Sequence, residues 1–176
     1  MPSAIVTTVG AANANSYVDV TAADNYFDDR LDAAVWTAAV TADKTRALLM
    51  AANRLQNENW LGNRVTSTQR LAWPRTNARK VDPVGAGFGY HAYGYGYSFT
   101  EVYKSDEIPQ PVKDAQCELA LAYLDGFDDG EEDSVDSFTA DGVSFKLRAS
   151  RSDGELPPRV TQLIGALIAG NRLVRA

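Results

Sequence analysis

Apolar positions recur at three- and four-residue intervals in four stretches of the chain, the period of a helix with one buried face. The first helix is predicted to start at Thr21, with Asp24 three residues later as a capping-box partner. It places Ala23, Phe27 and Leu31 on one face, beside Tyr26. A short helical turn, "DAAVWTAAV", follows with Trp36 as its core anchor. The second helix runs from Thr41 to about Asn57, with Leu48, Leu49, Ala52 and Leu55 as its stripe, Trp60 closing its end and Gly62 stopping it. The third opens at Pro109 and Pro111, where a helix tolerates the missing N–H, and ends at Gly126. Val112, Ala115, Leu119 and Tyr123 share its face, with Cys117 and Ala120 nearby. The fourth carries Val160, Leu163, Ile164, Leu167 and Ile168 and ends at Gly170. Burying each of those five is worth roughly 1.5–3 kcal/mol, so this helix must pack on something.

Elsewhere the helical period is lost. "RVTSTQRLAWPRT" is β-branched and reaches a Trp73-Pro74 step, which predicts an extended link. "VDSFTADGVSFKLRAS" alternates about Asp141-Gly142, with Val143, Phe145 and Leu147 on one side, which predicts a hairpin. Between the link and the third helix lies Gly85 to Ser98, "GAGFGYHAYGYGYS", with five glycines and four tyrosines in fourteen residues. The expected fold is therefore mainly α: a small helical bundle of four main helices, a β-hairpin and one long Gly/Tyr-rich loop. A single domain over 1–176 is expected, with an N-terminal arm 1–16, the long loop 80–106 and a C-terminal tail 171–176.

Composition narrows the chemistry. The chain has 176 residues, 45% apolar and 23% charged, in the range of globular proteins, and no apolar run approaches a membrane span. One cysteine rules out an intrachain disulfide, and the N-terminus lacks the basic start and apolar core of a secretion signal, so synthesis in a cytoplasm is expected. Net charge is −6, but the charges are segregated. Residues 59–81 carry Arg64, Arg70, Arg75, Arg79 and Lys80 without an acid; residues 128–136 carry Asp128, Asp129, Glu131, Glu132, Asp133 and Asp136 without a base. Such polarity suits copies of one protein packed acidic edge to basic edge, with Arg70, Arg75 and Arg79 meeting Asp128, Glu131 and Glu132.

Catalytic signatures are missing. One cysteine and one histidine cannot furnish a zinc site, and "DDGEEDSVD" lacks the register of a calcium loop. His91 lies among glycines and no G-x-S-x-G is present; Cys117 falls in the middle of an amphipathic helix, as a small core residue does. "GAGFG" opens no helix, so it is not a dinucleotide loop, and there is no P-loop. No enzyme, no cofactor and no metal are expected. A hydrolase working through paired carboxylates is the weakest of the readings. Single-stranded nucleic-acid binding is the best chemical alternative: Tyr90, Tyr93, Tyr95 and Tyr97 would stack bases while Arg70 to Lys80 track phosphates.

Three passages together carry a resemblance: "NSYVDVTAADNYFDDRL" with "WTAA" and "TADKTRALLMAANRLQ", then "LAWPRT", then "IPQPVKDAQCELALAYL" with the terminal "GNRLVRA". They resemble the head-tail connector (adaptor) proteins of tailed bacteriophages, whose relatives are often labelled DnaT-like ssDNA-binding proteins. The resemblance covers most of the chain, excluding 80–106 and 128–136. It implies a structural virion protein at the head–tail junction: a ring, by family habit a dodecamer, beneath the portal. Its partners would be itself, the portal protein, tail or neck proteins, and double-stranded DNA passing without sequence-specific contact. The tail would reach the portal through Arg172, Leu173, Val174 and Arg175. The long link is a departure from the family pattern, and Tyr/Gly surfaces suit adaptable docking. Phe88, Tyr90, Tyr93, Tyr95 and Tyr97 are accordingly expected at a subunit or tail interface.

Overall fold

The computed structural model describes residues 2–80, 101–127 and 155–169, and the backbone of 137–140 and 143–146. Among these residues the protein is mainly helical, with five helices and a small antiparallel hairpin. The helices are α1 (Val20–Asp28), α2 (Ala34–Ala38), α3 (Thr41–Leu55), α4 (Gln110–Leu124) and α5 (Pro158–Ile164). Strands β1 (Asn63–Arg64) and β2 (Arg75–Thr76) pair antiparallel within the extended link. Strands β3 (Ser137–Ala140) and β4 (Val143–Lys146) form the predicted hairpin, with Ala140 opposite Val143 and the Asp141-Gly142 pair between them. The direction of the side chains there lies outside the described residues.

The helix ends differ from the pattern in instructive ways. Asp19, not Thr21, caps α1: its carboxylate accepts the N–H of Ala22 at 2.7 Å. Asp24 is thereby left to accept from the Trp36 indole and the Lys44 ammonium, each at 2.8 Å. Burial by itself would raise its carboxyl, but the two hydrogen bonds and the Lys44 charge together outweigh it and hold the group below its ordinary value. Because α1 stops at Asp28, Leu31 falls outside the helix and is fully exposed rather than buried. In α3 the buried stripe runs through Ala47, Leu48, Ala51, Ala52 and Leu55, while Leu49 is only half-buried. Trp60 does close the end of α3, donating its indole N–H to the Leu55 carbonyl at 2.8 Å.

Gly62 does not stop α3, which has already ended. It turns the chain into β1 with φ +74°, and a Cβ there would lie 2.3 Å from the Thr76 carbonyl oxygen. The fourth predicted helix is shorter than its apolar stripe. After Ile164 the chain unwinds and pairs with 59–61: Leu61 N–H donates to the Leu167 carbonyl at 2.8 Å and Ala169 N–H to Asn59 at 2.7 Å. Leu167 is buried all the same, so the stripe reports burial and not helix. The predicted stop at Gly170 lies outside the described residues.

Helix α4 is the centre of the molecule and packs chiefly against α3 and α5. Its residues 115–120 are all buried. Alanines and Cys117 make this possible by keeping the facing helices close. A second cluster is aromatic: Trp73 meets Trp60 and Tyr103 edge to face, with centroids 5.9 and 5.7 Å apart. The expected N-terminal arm lies, from residue 2 onward, folded against this body. Asn15 closes it into a loop by accepting the Val6 N–H at 2.7 Å and donating to the Ala4 carbonyl at 2.9 Å.

Gln116 joins these parts. Its amide oxygen accepts the Tyr17 N–H at 2.9 Å, and its NH2 donates to Ser16 Oγ at 2.6 Å and to the Leu48 carbonyl at 2.9 Å. Gln116→Leu keeps the volume but strands those buried groups. It should cost ~2–4 kcal/mol, read as a lower urea midpoint at unchanged m-value; an unchanged midpoint would contradict this role.

Candidate nucleic-acid interface

The acid-free segment 59–81 divides its arginines by function. On the β1–β2 ladder Arg64 stands opposite Arg75. Like charges across a ladder repel unless one turns away. Arg75 turns inward: its guanidinium donates to the carbonyls of Leu61 at 2.7 Å, Ala72 at 3.2 Å, Trp60 at 3.2 Å and Gly62 at 2.5 Å. Burial, and then the Arg64 charge, pull its pKa down. The geometry therefore gives Arg75, expected at a subunit edge, an intramolecular task.

Arg64, Arg70 and Arg79 are exposed. Among the described residues no carboxylate lies within ion-pair distance of any of them. The Arg70 backbone is tied to the N-terminal loop through Ala11, and Arg79 bridges Val102. Segment 59–81 thus displays unpaired guanidinium groups on backbone that is held on both sides. Such groups bind anions: phosphate, carboxylate or the backbone of a nucleic acid.

The other charged cluster is internal. Glu118 on α4 is almost fully buried, and it accepts from the Tyr26 hydroxyl at 2.6 Å and from Arg30. Arg30 also pairs with Asp32 at 2.7 Å, and Arg159 at the start of α5 reaches Asp32 at 2.9 Å and Glu118 at 3.8 Å. Burial, reinforced by the Glu118 hydrogen bond, raises the Tyr26 pKa. Every member has a partner, so the cluster clamps α1, α4 and α5 together. The sequence reading missed it; its signal was a pair of polar residues, Gln116 and Glu118, set among the small residues of "AQCELA". Burial also pushes the Cys117 thiol up to about 12, so it stays neutral and unreactive near neutral pH.

The described residues contain no group of three His, Cys, Asp or Glu able to hold a metal, and no helix long and apolar enough to cross a membrane. Several expected site residues lie outside the described residues: Phe88, Tyr90, His91, Tyr93, Tyr95 and Tyr97 of the Gly/Tyr stretch; Asp128, Glu131 and Glu132; and Arg172, Leu173, Val174 and Arg175. The described residues on either side of that stretch, 78–80 and 101–103, are held together. Lys80 N–H donates to the Glu101 carbonyl at 2.7 Å and Tyr103 N–H to Ala78 at 2.9 Å.

Residues 3–176 match the family described as "Putative DnaT-like ssDNA binding protein". The chain belongs to this family. No curated protein and no solved structure matches it. The description of the DnaT-like family concerns single-stranded DNA, and joining a phage head to a tail is no part of it. In this member of the family, the arginines of segment 59–81 that remain exposed are Arg64, Arg70 and Arg79.

The division among the arginines is testable by stability. Arg75→Ala strands several carbonyls and should lower unfolding free energy by ~2–3 kcal/mol, with Arg75→Lys rescuing little. Arg70→Ala and Arg79→Ala should stay within ~0.5 kcal/mol of the parent. Denaturant titration of the four variants checks this; equal losses would refute the division.

Proposed function

We propose that this protein binds single-stranded nucleic acid, without catalysing a reaction, through the exposed arginines of segment 59–81. The observation that carries this reading is that Arg64, Arg70 and Arg79 are exposed and unneutralised by any described carboxylate. The family description supports it. Each guanidinium that meets a phosphate displaces condensed counterions, which is the main source of affinity in sequence-independent binding. A net charge of −6 opposes approach at long range, so binding depends on local contact and is sensitive to salt.

A specific observation favours a second reading. At the corner between α1 and α3, Leu31, Val35 and Val40 are 107%, 37% and 62% exposed. Three exposed apolar side chains within ten residues of sequence suit a protein surface. A head-tail connector ring would supply one: neighbouring copies side by side in the virion, after synthesis in the host cytoplasm, with portal and tail proteins above and below and duplex passing through. This reading rests on the resemblance of the three sequence passages to phage adaptors.

One titration of labelled oligo-dT, followed by anisotropy over a salt series, tests the first reading. The triple variant R64E/R70E/R79E should lose at least about 10-fold in affinity, and the slope of log K against log salt should fall by about 2, from ~0.7 per phosphate contact. Parent protein that does not bind, or a triple variant that binds equally, would sink it. For the connector reading, sizing the protein with and without portal should show assembly only on the portal; no change on mixing would remove that reading.

A further inference from the structure

We propose that a groove beneath the root of the Gly/Tyr stretch is a second phosphate-binding site, continuous in the chain with the arginine segment and gripping the backbone of the same strand. This rests on the single-strand reading above and deepens it. The groove measures about 680 Å³ and brings together Lys80, Lys104 and Lys113 from three separate parts of the fold. Lys80 follows Arg79 directly, Lys104 lies just past the closed root, and Lys113 stands in the first turn of α4. That volume falls within the ~300–1,000 Å³ typical of clefts that take small ligands.

Among the described residues Lys104 and Lys113 are in no ion pair, although Asp106 and Glu107 line the same groove. Among the described residues no carboxylate lies within 4.0 Å of the Lys104 or Lys113 ammonium, and Lys80 reaches only the exposed Glu101, at 3.8 Å. Glu107 instead accepts the backbone N–H of Lys104 at 3.4 Å. The buried Tyr17 and Ile108 form the part of the lining turned away from solvent. The Lys80 ammonium also sits 5.5 Å from the centre of the Tyr103 ring, which puts an aromatic surface next to a cation, as single-strand sites do.

The experiment uses full-length protein and labelled oligo-dT over the same salt series. K104A/K113A should weaken binding about 5- to 10-fold and lower the salt slope by about 1.4, two contacts at ~0.7 each. K104R/K113R should restore both, and a thermal melt should show both variants folded like the parent. If K104A/K113A binds as the parent does while R64E/R70E/R79E loses affinity, the groove inference is overturned and the single-strand reading stands. If the parent protein does not bind the oligonucleotide, both fall. Millimolar inorganic phosphate at matched ionic strength separates the two sources of phosphate. Little displacement is expected for a strand held at linked sites, and full displacement would make this a free-anion site and overturn the proposal.

Discussion

The side-chain amide of Gln116 ties together parts of the chain that lie far apart in sequence. It sits in the middle of α4 with no solvent exposure, where an unpaired amide would be costly. It is satisfied only if residues 16–17 lie across it and α3 presents the Leu48 carbonyl at the right height. The consequence spreads outward. Once Tyr17 is fixed, its hydroxyl lies within 3.4 Å of the Trp73 N–H and accepts from it. Trp73 in turn meets Trp60 and Tyr103, and Tyr103 belongs to the closed root of the Gly/Tyr stretch. One satisfied amide thus sets the position of the N-terminal loop, the extended link and the root of the long loop. An apolar residue in its place would specify none of these.

The Glu118 cluster works differently. Removing ions from water costs several kcal/mol, so a buried network adds little net stability and mainly selects one arrangement. Helix α5 is short, only seven residues, and a helix of that length is not stable by itself. Its place is held by apolar contact through Val160 and Ile164 on one side and by Arg159 reaching Asp32 and Glu118 on the other. The apolar contact supplies the burial, and the ionic contact restricts which way the helix can lie.

The sequence was legible where periodicity and burial coincide. α3 and α4 are long, carry uninterrupted stripes and appear where the pattern put them, and the hairpin about Asp141-Gly142 has the register its turn chemistry demands. It was illegible where burial came from another source. Leu167 fits a helical stripe but is buried by a strand-like return against residues 59–61. Leu31 also fits one, yet α1 ends at Asp28 and leaves Leu31 beyond it. For the candidate site the sequence showed which segment is basic, but it could not separate a guanidinium turned onto carbonyls from one turned to water. That distinction depends on the ladder register of Arg64 against Arg75, and register is a tertiary fact. Lys104 and Lys113 were missed for a related reason: they are nine residues apart in sequence with acids between them, and only the fold brings them to one groove.

An acidic protein in a family described by DNA binding poses an apparent conflict, and the structure suggests how it is resolved. Charge acts over about a Debye length, some 8–10 Å at ordinary salt, so what matters to a phosphate is the local surface and not the sum over the chain. Locally, segment 59–81 has no acid of its own. Its one internalised arginine is spent on carbonyls from two stretches of the link, 60–62 and 72, and this fixes the backbone from which Arg64 and Arg70 project. A rigid base lowers the ordering cost when the exposed side chains engage a ligand. On the proposed single-strand reading the negative charge elsewhere would have a use: it would weaken loose attraction to other polyanions and leave binding to geometries in which several cations are met at once.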